Sequence, residues 1–206
     1  AAAADGLLVS NHSYGQNIDG MDPVYLGAYA SNARGVDNIL YNAPYYLSVW
    51  AAGNDRQSGV NSEDGGYDYL HGWGTAKNTL VVAAVYEVLD YTGPNSVNMS
   101  GFSNWGPTDD GRIKPDISAK GVNMYSSVNA SNYANYSGTS MASPSVAGSI
   151  LLLQQHYNNL NLTYMKSSTL RGLVLHTADE AGNYPGPDPR FGWGLLNIER
   201  AAEGIT

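Results

Sequence analysis

Cysteine is absent from this sequence, which excludes disulfide bonds and thiolate metal sites. Positive charge is also scarce, because 10 Lys and Arg stand against 18 Asp and Glu and give a formal net charge of −8 at pH 7. The few basic residues form no run. Since nucleic acids and anionic membrane surfaces are bound through clustered Lys and Arg side chains, we expect neither of them as a partner.

Long apolar runs are missing as well. Apolar runs such as 150–153 are far shorter than the roughly 18 residues of a membrane-spanning helix. The chain starts with four alanines and shows no positively charged signal-peptide start. Abundant Gly, Tyr and Asn beside little Lys is consistent with an extracellular or secreted protein, and equally with a compositional bias of the source.

What the sequence does contain is enough apolar material, 43% of 206 residues, to bury the core of one domain. Short apolar runs predict strands or extended segments at 6–11, 47–52, 79–88, 113–118 and 122–126. Helices are predicted from Pro23 to about Ala33, at 141–155, at 167–176 and in the tail before residue 202. Strands that alternate with helices indicate an α/β fold with a mostly parallel sheet.

The strongest chemical signal is the octet Ser137-Gly138-Thr139-Ser140-Met141-Ala142-Ser143-Pro144, where a loop meets the predicted helix 141–155. A glycine before a helix start permits a sharp turn, and Pro144 fits a first helical turn. The Oγ of Ser140 then lies near the positive end of the helix dipole, and its N–H has no partner within the helix. These features suit a nucleophile, although a lone serine at such a place is more often an N-cap.

Two further segments follow predicted strands. Ala51-Ala52-Gly53-Asn54-Asp55 closes the strand 47–52, at the sheet edge where open α/β folds place their active sites. The side chain of Asn54 can donate to a developing oxyanion, and Gly53 allows a substrate backbone to approach; the alternative is an ordinary Asn-containing turn. Ser13-Tyr14-Gly15 follows the first strand and could equally be a simple strand-ending turn.

Together these segments resemble the subtilisin-like serine peptidases, or subtilases. The octet matches the nucleophile motif of that family nearly letter for letter. Segments 102–108, 114–117 and 191–197 extend the resemblance from about Leu8 to Ala202, with Lys120 at a position where proline is usual. The resemblance implies a partial subtilisin-like three-layer fold, with helices on both faces of the sheet.

The resemblance also implies a role for each segment. Ser140 would be the nucleophile of a serine endopeptidase and Asn54 an oxyanion donor. Ser13, Tyr14 and Gly15 would pair with a protein or peptide substrate, and Ala52 and Gly53 would form a wall of the substrate pocket. No cofactor is required for this chemistry.

The catalytic Asp and His of the family should precede Asn54, and neither of their motifs is present. The four histidines have the wrong sequence contexts or lie after Asn54, so we expect them to be structural or surface groups: His12, His71, His156 and His176. Residues 1–206 are therefore expected to be the C-terminal part of one peptidase domain. Its partner would be an N-terminal fragment of the same domain that carries the Asp and His.

The order of residues along the chain argues against two other classes of serine hydrolase. An α/β-hydrolase needs an acidic residue between its serine and its histidine, and none lies between Ser140 and His176. A chymotrypsin-like order through His71 and Asp116 is formally possible, but a helix after the serine does not suit that all-β fold. A catalytically incomplete, subtilase-like binding or scaffold module is the non-enzyme alternative.

Several acidic loops could bind structural Ca²⁺, because this ion takes oxygen ligands. Solvated acidic loops are the competing interpretation in a chain of charge −8. The candidate residues are Asp55, Glu63, Asp64, Asp68, Asp109-Asp110-Gly111 and Asp179-Glu180.

Overall fold

The computed structural model describes residues 2–129 and 131–206. Its centre is a parallel sheet of four strands that follow one another across the sheet in chain order. The strands are β1 (Val9–His12), β2 (Leu47–Ala51), β3 (Leu80–Val85) and β4 (Ile117–Lys120). All six residues of β3 are buried, as expected for a parallel strand that is covered on both faces.

Helices cover both faces of the sheet. They are α1 (Ser31–Tyr41), α2 (Thr139–Asn161), α3 (Ser167–His176) and α4 (Ile198–Glu203). The predicted apolar stripe of α2 is confirmed, because it packs on the inner side chains of all four strands. Its buried members are Ala142, Val146, Ile150 and Leu153.

The opposite face is covered by α1 and by the segment between β2 and β3. Trp50 and Val81 of the sheet pack there against Leu70, with Val36 of α1 and Trp73 at the edge of the cluster. The structure thus has the predicted three layers. No helix among residues 2–129 and 131–206 is long and apolar enough to span a bilayer.

A buried ion network joins the third and fourth strands to α3. Lys114 and Asp116 are each 1% exposed, and the ammonium group contacts the carboxylate at 2.5 Å. Asp116 also accepts hydrogen bonds from the Val81 N–H at 2.7 Å and from Arg171 of α3 at 2.6 Å. The network compensates the burial of charge, which would be costly if either partner stood alone.

The predicted helix from Pro23 to about Ala33 is wrong. Only Pro23–Tyr25 forms a short 3-10 turn, and Gly27 then adopts a left-handed backbone, φ 72°, which a helix cannot include. The helix of this region, α1, begins at Ser31 and continues to Tyr41.

Other predicted boundaries also move. Helix α2 begins at Thr139 and continues to Asn161, whereas the strands near 6–11, 79–88 and 113–118 are shorter than predicted. The segment near 122–126 belongs to an antiparallel hairpin of β5 (Met124–Ser127) and β6 (Tyr133–Tyr136), and β6 was not predicted. The hairpin leads directly into the octet that contains Ser140.

Candidate active site

The predicted site residues meet in one cleft. It has a volume of about 260 Å³ and lies where the carboxyl ends of β1 and β2 face the start of α2. All seven residues singled out from the sequence line it: Ser13, Tyr14, Gly15, Ala52, Gly53, Asn54 and Ser140. The cleft also contains Gln16 and Trp73, to which the sequence did not point, and His71, which was expected to be structural or a surface group.

Ser140 is the second residue of α2. It follows Thr139, the first helical residue, and Gly138, the N-cap. Its side chain is partly exposed in the cleft. The first N–H groups of a helix have no acceptor within the helix and carry the positive end of its dipole. The start of α2 therefore places a hydroxyl group and an N–H donor of the same residue side by side.

Asn54 is oriented by the residue before Ser140. Its Oδ1 accepts hydrogen bonds from the Thr139 N–H at 2.8 Å and from the Thr139 hydroxyl at 3.0 Å, and neither bond uses its Nδ2. A Cβ atom on Gly138 would lie 3.6 Å from Ser140 N and 3.7 Å from Asn54 Nδ2, so the two nitrogens border the same small volume. Two N–H donors in such a position can stabilise a negatively charged oxygen.

Gly53 cannot be replaced without a clash. Its φ of 106° is unfavourable for other residues, and an added Cβ would lie 2.2 Å from Nδ2 of Asn104. Buried Asn104 accepts from the Asp55 N–H at 2.6 Å and donates to the Tyr69 carbonyl at 3.0 Å. It thereby shapes the loop that presents Asn54, a role that nothing in the sequence around Asn104 indicated.

The end of β1 is tied to α2 by a chain of three hydrogen bonds. The Ser143 hydroxyl donates to Oδ1 of Asn11 at 2.6 Å, and Nδ2 of Asn11 donates to the Ser13 hydroxyl at 3.0 Å. The Ser13 hydroxyl donates in turn to the Ser140 carbonyl at 3.0 Å. These bonds hold the Ser13–Gly15 segment against the helix start.

Two of the histidines lie in or beside the cleft. His71, expected to be structural or a surface group, is buried in the cleft wall, with Nδ1 at 3.2 Å from the Tyr69 carbonyl and Nε2 at 3.2 Å from the Gln16 carbonyl. His12 pairs with Ser10 and Tyr14.

The other two histidines lie on helices. His156 belongs to α2 and is about 24 Å from Ser140 along the helix axis, and His176 ends α3. Within residues 2–129 and 131–206, no histidine nitrogen is hydrogen-bonded to the Ser140 hydroxyl.

The acidic residues proposed as calcium ligands lie in three segments of the chain, 55–68, 109–111 and 179–180. In the described part of the chain no three His, Asp or Glu side chains converge as metal ligands would. Asp55 lines the cleft, and Asp179 pairs with Arg200 at 3.0 Å. Asp68 and Asp109 approach each other across Gly27, where an added Cβ would lie 2.3 Å and 2.2 Å from their Oδ1 atoms. Burial and the neighbouring carboxylates of Asp109 and Asp64 raise the pKa of Asp68 to about 6.

A serine at a helix start, beside an Asn side chain and at the carboxyl edge of a parallel sheet with helices on both faces, is the arrangement that the resemblance to subtilases led us to expect. Comparison with known families agrees, because the model of the subtilase family matches residues 1–194. The chain belongs to the subtilase family.

Curated relatives match over part of the chain. C5a peptidase of Streptococcus pyogenes serotype M3 (strain ATCC BAA-595 / MGAS315) is 46% identical over 82 residues, which is 40% of this chain and 7% of that protein. PII-type proteinase of Lacticaseibacillus paracasei is 39% identical over 120 residues, 57% of this chain and 6% of that protein. The chain thus spans less than a tenth of these relatives.

Solved structures match over the whole chain. The prenylagaramide maturation protease PagA superposes with a TM-score of 0.72 at 24% sequence identity. The match covers 100% of this chain and 64% of the PagA chain. The S218A mutant of the protease domain of PatA gives the same TM-score and the same identity. This match covers 99% of this chain and 62% of the PatA chain. At this level of identity the likeness establishes the fold.

Proposed function

We propose that this chain carries the nucleophile and the oxyanion site of a serine endopeptidase that hydrolyses peptide bonds in proteins or peptides. One observation carries the proposal: the hydroxyl of Ser140 lies at a helix start, where its own N–H and Nδ2 of Asn54 border the same volume. Membership of the subtilase family supports it.

The reaction would follow the course of a serine hydrolase. The Ser140 oxygen attacks the peptide carbonyl while a base removes its proton, and the carbonyl oxygen becomes negatively charged between Ser140 N–H and Asn54 Nδ2. The carbon–nitrogen bond then breaks, and the leaving amine takes the proton from the base. Water attacks the acyl-enzyme in the same way and releases the acid. The proposed steps require no cofactor.

The substrate would lie extended along the end of β1. Ser13, Tyr14 and Gly15 continue this strand into the cleft, and β1 pairs with a described strand on one side, β2. An extended peptide can add to such a segment through main-chain hydrogen bonds. Ala52 and Gly53, which line the same cleft, would form another wall of the substrate pocket.

We place the general base, a His, and its carboxylate partner, an Asp, in an N-terminal part of the same domain, outside residues 1–206. In subtilisin the catalytic Asp and His precede the serine in the chain. The solved structures that match are longer than this chain, which corresponds to 64% and 62% of them. We further propose an extracellular or secreted site of action, for which the composition with little Lys is the support.

Active-site labelling tests the nucleophile. In the full-length protein a fluorophosphonate probe should modify Ser140, and Ser140→Ala should abolish the modification. Ser145→Ala is the matched control, since this serine lies on the same helix and bonds back to the Met141 carbonyl. Labelling that persists in Ser140→Ala would rule out the assignment.

The alternative is a binding or scaffold module of the same fold without catalysis. The observation that favours this alternative is that no histidine in the described ranges is hydrogen-bonded to the Ser140 hydroxyl. Peptide hydrolysis by the full-length protein separates the two: turnover that is lost in Ser140→Ala identifies a peptidase, and specific peptide binding without turnover identifies a module.

A further inference from the structure

Two arginines pack on one buried tryptophan. The guanidinium carbon of Arg56 lies 4.0 Å from the ring centroid of Trp105, and that of Arg190 lies 4.3 Å from the same centroid. Trp105 itself is only 8% exposed. Because both groups lie over one ring, two positive charges are held as close neighbours, and like charges at short range repel each other.

This cluster lies toward the end of the sheet opposite to β1. Arg190 leads into the segment whose Leu195 bridges Ser118 of β4, and β4 and β1 are the two outer strands of the sheet. The cluster is therefore separate from the edge of β1, beside which the N-terminal part of the domain would lie.

Hydrogen bonds hold the two arginines in place around the tryptophan. The N–H of Gly106, the residue after the tryptophan, donates to the carbonyl of Pro189, the residue before Arg190, at 2.9 Å. Arg56 is held by its own guanidinium group, which donates to the Gly101 carbonyl. Groups that are already in position lose less conformational entropy when a ligand binds.

Neither arginine has an acidic partner among residues 2–129 and 131–206. No carboxylate oxygen there lies within 4.0 Å of a guanidinium nitrogen of Arg56 or Arg190. Asp188 accepts instead from the main-chain N–H groups of Arg190 and Phe191, at 2.6 Å and 2.9 Å. Three other arginines each pair with an aspartate: Arg112, Arg171 and Arg200.

Buried N–H donors of the cluster also lack acceptors. Nε of Arg56, Nε of Arg190 and Nε1 of Trp105 are almost inaccessible to solvent, and none has a hydrogen-bond partner in the described part of the chain. Burial, and after it the positive charge of Arg190, lowers the pKa of Arg56. Unopposed charges and unsatisfied donors are costly inside a protein, so a ligand that supplies negative charge and acceptor atoms would stabilise the cluster.

We propose that Arg56 and Arg190 form a binding site for a small tetrahedral oxyanion of the phosphate or sulfate class. Each guanidinium group presents a planar fork of N–H donors that matches a pair of oxygen atoms. A tetrahedral oxyanion has enough oxygens to accept from two forks, whereas a carboxylate has only two. This inference does not depend on the proposed peptidase function.

Isothermal titration calorimetry on the full-length protein tests the site, with inorganic phosphate as the titrant near neutral pH. Chloride keeps the ionic strength constant, because added salt alone screens charges. Phosphate should bind saturably at one site, and sulfate should displace it. Acetate at the same concentration should not displace it, since one carboxylate cannot accept from both forks.

The two arginines are tested by substitution. Arg56→Gln and Arg190→Gln should each weaken phosphate binding by about 10-fold or more, because each removes charged hydrogen bonds. Arg190→Lys keeps the charge without the fork and should restore only part of the affinity. Lys166→Gln is the matched control: it also removes one positive charge, at the exposed N-cap of α3, and should leave the affinity unchanged.

Absence of saturable phosphate binding in the unmodified, folded protein overturns the inference. Equal affinities of Arg190→Gln and Lys166→Gln would place the ion elsewhere and also overturn it, as would acetate binding as tight as that of phosphate. If Arg56→Gln fails to fold, as judged by circular dichroism, Arg190→Gln decides alone, or Arg190→Lys if that variant also unfolds, and an unchanged affinity refutes the site. Fluorophosphonate labelling of Ser140 tests the peptidase proposal separately.

Discussion

At the scale of single residues, Asn54 uses the two ends of its side-chain amide differently. The oxygen is fixed by two hydrogen bonds from Thr139, so in the proposed reaction the nitrogen would need no change of conformation to act as a donor. Such preorganisation is what makes an oxyanion donor effective, because no reorganisation is needed when the charge develops.

Asn54→Ala should therefore lower kcat by about 10²–10³-fold with little change in KM, the range seen when one oxyanion donor is removed from subtilisin. Asn54→Asp keeps the acceptor for Thr139 but removes the donor, so it should show a comparable loss. Thr139→Ser, which retains the hydroxyl, serves as the control. Steady-state kinetics on one peptide measures all three, and a raised KM with unchanged kcat would indicate substrate positioning instead.

At the scale of elements, α2 contains a glycine at an exposed position. Gly148 is exposed, and a Cβ placed there would meet no atom within 4 Å. Gly148→Ala should stabilise the protein by about 0.5–1 kcal/mol, because glycine loses more backbone entropy in a helix than alanine does.

Gly121→Ala is the contrasting substitution. Its Cβ would lie 2.6 Å from the Cβ of Ala84 and 2.7 Å from the carbonyl oxygen of Gly138, so we expect a loss of stability. Urea unfolding measures both variants. A destabilised Gly148→Ala protein would mean that the helix is distorted at this point.

The link between the sheet and α3 depends on a buried carboxylate. Asp116→Ala leaves the ammonium group of Lys114 buried without its partner, and we expect a loss of about 3–5 kcal/mol in the free energy of unfolding. Glu87→Ala removes the exposed partner of Lys120 and should cost only about 0–1 kcal/mol. Equal losses in the two variants would contradict the importance of burial.

At the scale of the whole molecule, the dependence of stability on pH is predicted from Asp68. Its folded pKa of about 6 exceeds the value of 3.8 for the unfolded chain. Between these values the folded state keeps a proton that the unfolded state has lost, so this group makes stability fall as the pH rises from 4 to 6. Asp68→Asn should remove the fall and be the more stable protein at pH 7.

Asp110 provides a control of opposite sign. Hydrogen bonds from Thr108 and Arg112 lower its pKa to about 2, so its contribution is present above pH 4 and is lost as the pH falls toward 2. Asp110→Asn should therefore lose a little stability at pH 7 rather than gain it. Unfolding curves from pH 3 to pH 7 test both. A difference between Asp68→Asn and the parent that does not change with pH would refute the assigned pKa.

Local patterns in the sequence predicted those parts of the molecule that depend on local interactions. Helix α3 has the predicted bounds, and the apolar stripe of α2 faces the core. Both were predictable because a helix repeats its apolar residues at spacings of three and four in the sequence. The octet around Ser140 and the segment around Asn54 were visible because each is contiguous. The parallel order of the strands followed from their alternation with helices.

Tertiary contacts decided those features of the fold and of the site that the sequence did not predict. The start of α1 depends on the left-handed backbone at Gly27, and the loop of Asn54 depends on Asn104, about fifty residues away in the chain. His71 enters the cleft, and His12 reaches Tyr14 while stacked on Trp50, only because the folded sheet brings separate segments together. The sequence by itself determined which residues could carry the chemistry. Only the packing of distant segments decided how those residues are oriented, because a side chain's direction is set by neighbours that local periodicity does not specify.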